Sequence, residues 1–413
     1  MNKYEQISFF PADILLPENT DMTKWSVVAC DQYTSQPEYW EDVEKIVGDS
    51  PSAYNLVLPE LYLNGDNVES KIIEINKTMD DYLGCVLKEY KNSYIYIERT
   101  MNNGKVRRGI IGAVDLENYE FKPGNSAMIR ATEGTVAERI PPRVRVRENA
   151  SLELPHVMLL IDDKDDVVFQ SIKKGEKVYD FDLMKDSGHL AGWVVSDNDA
   201  LADALLKLQK DTEDNNGTML YAVGDGNHSL ATAKACWENI KKSEKNIENH
   251  SARYALVEVG NIHDSALEFE PIHRIILDCD AKNLLSELDE YCGITEEYIE
   301  NSQEIYRVIN CEVKKLYIKK PTSNLAVGTL QGFLDEYISK NNCEIDYIHG
   351  DDVVKELSKK ENSIGFLLSS MNKSDLFATI IKDGILPRKT FSMGEACDKR
   401  FYAEARKIKV EEK

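Results

Sequence analysis

Between residues 218 and 229 the chain reads Thr-Met-Leu-Tyr-Ala-Val-Gly-Asp-Gly-Asn-His-Ser, an apolar run that breaks at two glycines flanking an acid and then opens into an alanine-rich stretch. A strand, a tight turn and a helix in that order make a cradle for an oxyanion. Glycine lets the backbone lie close to a ligand, and the free amides that open a helix attract negative charge. Gly224, Gly226, Asn227 and Ser229 are therefore expected to contact phosphate oxygens. Asp225 is a candidate catalytic carboxylate and metal ligand, and His228 a candidate for proton transfer or charge stabilisation. The same Asp, Asn and Ser would also serve a turn that merely caps its helix.

A second group of candidates lies outside this motif. Arg130, Arg139, Arg143, Arg145 and Arg147 fall close together in a chain whose formal charge is −22. Guanidinium forks grip phosphate or carboxylate at two points. Arg130 is the anion contact expected here and Glu133, beside Thr132, a candidate base; the alternation at 143, 145 and 147 predicts the wet face of a strand paired to acids. Asp31, at the polar end of an apolar strand predicted from Trp25 to Thr34, is a further candidate base. His273 and Arg274 follow Glu270-Pro271, and Lys389 lies with Arg388 and Thr390 in a loop. His273, Arg274 and Lys389 are expected as weaker anion contacts. His156, His189 and His263 lack comparable context and read as structural or surface residues.

The elements that must position these residues are legible from periodicity and punctuation. Phe9 to Pro17 is extended, because each proline disfavours helix in the residue before it. Apolar spacing predicts helices over 70–90 and 196–210. Residues 94–99 and 106–114 predict two strands joined through Asn102-Asn103-Gly104, and 157–161 a buried strand. After the motif come strands at 253–259 and 270–277. Beyond Asp278, helices near 282–291 and 352–359 alternate with strands at 316–318 and 364–368. No repeat of fixed length emerges.

Bulk properties narrow the function classes. Apolar residues are 42% of the chain, and no stretch approaches the roughly 20 uncharged apolar residues that span a bilayer. A soluble protein without membrane partners is expected. Met1 to Gln6 shows no cationic and then apolar leader, so a cytoplasmic location is expected. The eight cysteines include no C-x-x-C pair and read as reduced thiols. The acidic charge disfavours nucleic acid as a partner. The P-loop, Rossmann, α/β-hydrolase and zincin signatures are absent.

Three blocks together resemble the DUF1015 family. They are Val223 to Ser229, matching an Ala-Asp-Gly-His-His-Arg-like pattern; Glu270 to Arg274, matching Pro-x-His-Arg; and Ile385 to Phe391, matching Met-Pro-x-Lys-Ser-Thr. Asn227 and Ser229 stand where the family commonly has His and Arg, and Ala29 to Tyr33 differs from its Pro-Pro-Tyr-Asp, which marks a divergent member. The first block also resembles the phosphate-binding block of the ParB-like superfamily, which includes free serine kinases. The resemblance implies a mixed α/β (α+β) fold, with a ParB-like or serine-kinase-like core at 1–280 and an additional mixed-sheet C-terminal part at 281–413. It implies phosphoryl transfer to, or phosphate-ester hydrolysis of, a small phosphorylated acid such as phosphoserine, in keeping with serine metabolism. Mg²⁺ and a nucleotide enter as candidate cofactors, a small anionic metabolite as the partner, and a homo-oligomer as an open option. The alternative is a non-catalytic sensor that binds a nucleotide or phosphometabolite.

Overall fold

The computed structural model describes residues 2–409 apart from 64, 66, 136, 212, 215, 216, 246, 248, 249 and 388. Arg388 thus lies outside the described residues. The chain divides into two units, Met1–Leu267 with Glu395–Lys413, and Glu268–Gly394. This differs from a single cut at 280: the division precedes the strand His273–Leu277, and the end of the chain returns to the first unit. The fold is mixed α/β in both.

In the first unit, ten strands form one sheet. Its order is Lys174–Asp182, His189–Val195, Ile95–Thr100, Val106–Asp115, Tyr254–Asn261, Met158–Ile161, Tyr221–Asp225, Ile129–Ala131 and Tyr119–Glu120, with Phe9–Phe10 alongside Val106–Asp115. Pairing is antiparallel in the first half. Parallel pairs join Tyr254–Asn261 to Met158–Ile161, Tyr221–Asp225 to Ile129–Ala131, and Ile129–Ala131 to Tyr119–Glu120.

Successive strand residues face opposite sides, and both sides are buried. Ile95, Ile97, Ile111 and Leu256 join one core with Trp40 and Val43 of helix Pro37–Val47 and Ile72 and Met79 of helix Val68–Cys85. Tyr96, Ile110, Val257 and Val259 join the other, with Leu201 and Leu205 of helix Asn198–Asp211 and Leu230 and Trp237 of helix Asn227–Ser243. Burial on both faces explains why Met158–Ile161 is apolar throughout rather than alternating.

Three local expectations give way to tertiary structure. Residues 25–34 do not form a strand: the helical turn Met22–Trp25, capped by Asp21, precedes a lone bridge between Val28 and Phe401, and turns follow. The helix expected over 70–90 stops at Cys85, and Leu87–Ser93 becomes a strand paired with Ala12–Pro17. Residues 140–147 are helix, not strand, because Pro141 and Pro142 preset the backbone angle of a helical first turn. Their arginines do meet acids, Arg143 with Glu60, Arg145 with Glu69 and Arg147 with Glu153.

The second unit carries a six-stranded antiparallel sheet ordered Ile294–Thr295, Glu312–Ile318, Gln303–Ile309, Ile364–Leu367, His273–Leu277 and Glu344–Ile348. Helices Ala281–Cys292 and Ala326–Lys340 pack Leu284, Leu288, Leu330 and Phe333 into its core. Among the described residues no helix is long and apolar enough to cross a membrane.

Residues 395–409 are bound to the first unit by buried charge. The Arg400 guanidinium donates to Glu258 at 3.1 Å, to the Pro155 carbonyl at 2.9 Å and to Glu404. Arg406 donates to Glu153 at 2.7 Å, and the Trp25 indole to the Ala403 carbonyl at 3.0 Å. A buried ion pair gains little over an apolar substitute, but removing one partner strands the other. Arg400→Leu should therefore cost about 3–5 kcal/mol in urea unfolding, by leaving buried Glu258 to Arg107 at 3.6 Å and buried Glu404 to the neutral Tyr179 hydroxyl. A loss under about 1 kcal/mol would show that the network does not hold the segment.

Candidate active site

The motif folds as strand Tyr221–Asp225, a turn at Gly226 and helix Asn227–Ser243. A register shift at Gly224 interrupts pairing with Met158–Ile161 and re-aims Asp225. Gly226 has φ +79°, and a Cβ there would lie 2.9 Å from the Val157 Cα. Only glycine fits both the left-handed angle and the close approach. The helix opens with no side-chain cap on Gly226. Leu230 is the first amide to bond back into the turn, to the Gly226 carbonyl at 3.0 Å. The first-turn amides of an α-helix have no intrahelical carbonyl to bond.

The motif side chains have separate tasks. Asp225 accepts the Gly226 amide at 2.9 Å and pairs with Lys399 at 3.2 Å. Asn227 is not turned to a ligand: its amide oxygen accepts the Thr132 amide and its nitrogen donates to the Thr132 hydroxyl, both at 3.3 Å. Thr132 in turn donates to the Val223 carbonyl at 2.7 Å, so Asn227 clamps the neighbouring strand end to the turn. Ser229 lies 2.8 Å from Nε2 of His156.

Asp31 sits in a turn rather than at a strand end, 3.8 Å from His156 Nε2. Burial opposes its charge, but His156, the Gln32 side chain and Lys399 prevail and hold its carboxyl below the usual range. His228 is pulled from 6.5 down to about 4, first by burial and then by the charges of Arg143 and Arg139. The two shifts have separate causes: neighbouring His156, Gln32 and Lys399 outweigh burial at Asp31, whereas burial itself is the first cause at His228.

Glu133 is half-buried just beyond Thr132. Arg130 is 4% exposed and donates through Nε to the Ala127 carbonyl at 2.8 Å. His273, Arg274 and Lys389 belong to the second unit. There Arg274 is fully buried and donates to Gln331, to the Ile272 carbonyl and to the Lys389 carbonyl, while Tyr347 covers its face. That guanidinium is occupied in holding the fold, which removes it as an anion contact. His273 accepts the Leu368 amide at 3.2 Å and meets Asp351 at 2.8 Å.

Residues that sequence reasoning passed over complete the site. His156, read as structural or surface, is 7% exposed and joins Ser229, Asp31 and Tyr402. Lys399 and Tyr402 arrive on the returning C-terminal segment. His156, Ser229, Tyr402, Cys30, Glu60 and Arg143 border a cavity of about 150 Å³ whose remaining wall is largely aliphatic, with Leu58, Val146 and Leu256. Among the described residues no group of three or more His, Cys, Asp or Glu gathers as a metal site.

The His228 shift has a consequence for stability. Between about 4 and 6.5 the native imidazole binds fewer protons than the unfolded one, so its contribution is complete above 6.5 and is lost as pH falls toward 4. Asp31 acts in the same sense at lower pH. His228→Gln should flatten the fall of melting temperature across that window; identical acid slopes in variant and wild type would refute the assignment.

A family model described as a protein of unknown function, DUF1015, matches residues 12–349. No curated protein matches the sequence. Among solved structures the chain is similar to a conserved hypothetical protein from Pyrococcus furiosus, at 10% identity over 74% of this chain and 96% of that one, with a TM-score of 0.37. It is also similar to a free serine kinase in complex with AMP, at 10% identity over 74% and 93%, with a TM-score of 0.39. A third similar structure is C-terminally truncated SbnI from Staphylococcus aureus, at 11% identity over 69% and 83%, with a TM-score of 0.35. The family suggested by the three sequence blocks is the one whose model covers most of this chain, and the protein belongs to the DUF1015 family.

Proposed function

We propose that the first unit binds a small phosphorylated acid, such as phosphoserine, over the first turn of helix Asn227–Ser243 and moves or removes its phosphoryl group. The observation that carries this reading is the strand, left-handed Gly226 turn and helix Asn227–Ser243, whose first amides have no intrahelical carbonyl to bond, with Lys399 3.2 Å from Asp225 beside them. Helix amides in such a place bind phosphate oxygens, and Lys399 at the rim adds a fixed cation.

Phosphoryl transfer asks a protein chiefly for positioning and charge stabilisation. Backbone amides after Gly226 and the Lys399 ammonium would hold the transferring group. The attacking oxygen would form its bond to phosphorus as the bond to the leaving oxygen breaks, and its proton would pass to Asp31 or Asp225. The His228 imidazole is neutral at ordinary pH, so it acts as a hydrogen-bonding group and not as a cation. A Mg²⁺ ion would take Asp225 as a protein ligand and phosphate oxygens for much of the rest, the usual mode for that ion. It would neutralise charge on the phosphate. A nucleotide is the natural phosphoryl donor if the acid is the acceptor.

The test is phosphorus NMR on the purified chain with phosphoserine alone, and with serine plus ATP or ADP, with and without Mg²⁺. Turnover is expected in one arm, and Asp225→Asn should lower it at least about 100-fold, the usual scale for general acid–base groups, while leaving the melt cooperative. Stabilisation by a ligand recovered unchanged would favour the sensor. An inert wild type that no phosphorylated compound stabilises would end both.

A further inference from the structure

The Ser229 hydroxyl is held by a chain of three side chains. Its Oγ lies 2.8 Å from Nε2 of His156, and Nδ1 of that ring lies 2.8 Å from the Tyr402 hydroxyl. The Tyr402 oxygen already accepts the Cys30 amide at 3.1 Å. Tyr402 is 1% exposed, and burial pushes its phenol well above the ordinary range. It therefore keeps its proton, which needs an acceptor.

With the ring in its neutral form, Nδ1 of His156, 2.8 Å away, is that acceptor. The ring hydrogen must then sit on Nε2, where the Asp31 carboxylate, 3.8 Å away, also favours a donor. Nε2 donates to Ser229 Oγ, and the serine's own hydrogen has no acceptor among the described residues. Ser229 borders the cavity of about 150 Å³ together with Leu58, Val146 and Leu256. A space of that size admits a guest about as large as benzene. Its largely aliphatic wall offers a hydroxyl-rich sugar few partners.

We propose that this cavity receives the body of a compact aliphatic hydroxy or amino acid, whose carboxylate accepts the Ser229 hydroxyl held outward by Tyr402 and His156. The inference rests on the reading of Gly224 to Ser229 as an anion cradle and names the molecule that the cradle serves. Ser229 is then a binding residue. His156 and Tyr402 are positioning residues, because they act through the direction of one hydrogen.

Two measurements decide it. Calorimetric titration of the full chain with lactate, alanine, serine and valine, with glucose as control, should show binding of at least one acid and none of glucose. Ser229→Ala should weaken that binding about 10-fold or more, the scale of a hydrogen bond to a charged group. Val146→Phe, which places a ring into the cavity from a half-exposed helical position, should abolish it, and both variants should melt cooperatively. Imidazole nitrogen NMR, with His156→Gln to assign the signals, should find hydrogen on Nε2 in the wild type and a shifted tautomer balance in Tyr402→Phe. Unchanged affinity in Val146→Phe, or hydrogen on Nδ1 in the wild type, overturns the inference. So does binding of no acid by a chain that still binds inorganic phosphate or converts phosphoserine, an outcome that leaves the anion cradle standing. A chain that responds to neither acid nor phosphate defeats both readings.

Discussion

The Arg400 guanidinium, buried against Glu258 and Glu404, is the interaction on which the first unit's site depends. Glu258 lies on a central strand and Arg400 near the far end of the chain. Charges taken out of water in this way are costly alone and tolerable only together, so the segment from Glu395 onward has one place to lie. That placement delivers Lys399 to Asp225 on one side of Arg400 and Tyr402 to His156 on the other.

Around that anchor the site divides into two chemistries. The turn at Gly226 sets the start of a helix beside the Asp225–Lys399 pair, the place assigned above to the phosphoryl group. The adjoining cavity offers an aliphatic wall and one oriented hydroxyl, suited to a small carbon skeleton. On the proposed reading a phosphorylated short acid presents one end to each. Asn227 and Thr132 tie the parallel strand Ile129–Ala131 to the turn.

The acidic surface and the cationic centre are compatible because they operate on different scales. A formal charge of −22 is spread over exposed side chains, where water and salt screen it within about 10 Å. Lys399 and Arg143 act at short range and in partial burial, where screening is weak. Overall charge thus informs on partners approaching from afar and says little about the site.

Local chemistry was readable from the chain itself. Gly224 to Ser229 announced a turn between strand and helix, because glycine spacing and apolar runs are properties of neighbours in sequence. The hairpin through Gly104, the helix over Asn198–Asp211 and, beyond Asp278, the helices Ala281–Cys292 and Asp351–Leu357 and the strands Glu312–Ile318 and Ile364–Leu367 were legible for the same reason. Where local signals conflicted, the sequence misled: alternating arginines at 143, 145 and 147 resembled a strand until Pro141 and Pro142 set a helix. The roles of His156, Lys399 and Tyr402 were decided by tertiary structure alone. His156 and Tyr402 stand 246 residues apart, and nothing in the local pattern of either reports the other. Arg274 shows the converse: a motif arginine consumed by buried carbonyls once the second unit folds. Secondary structure follows from the backbone preferences of adjacent residues. The direction of a single hydroxyl hydrogen follows from which buried donors must find acceptors, and that is settled only when distant segments pack together.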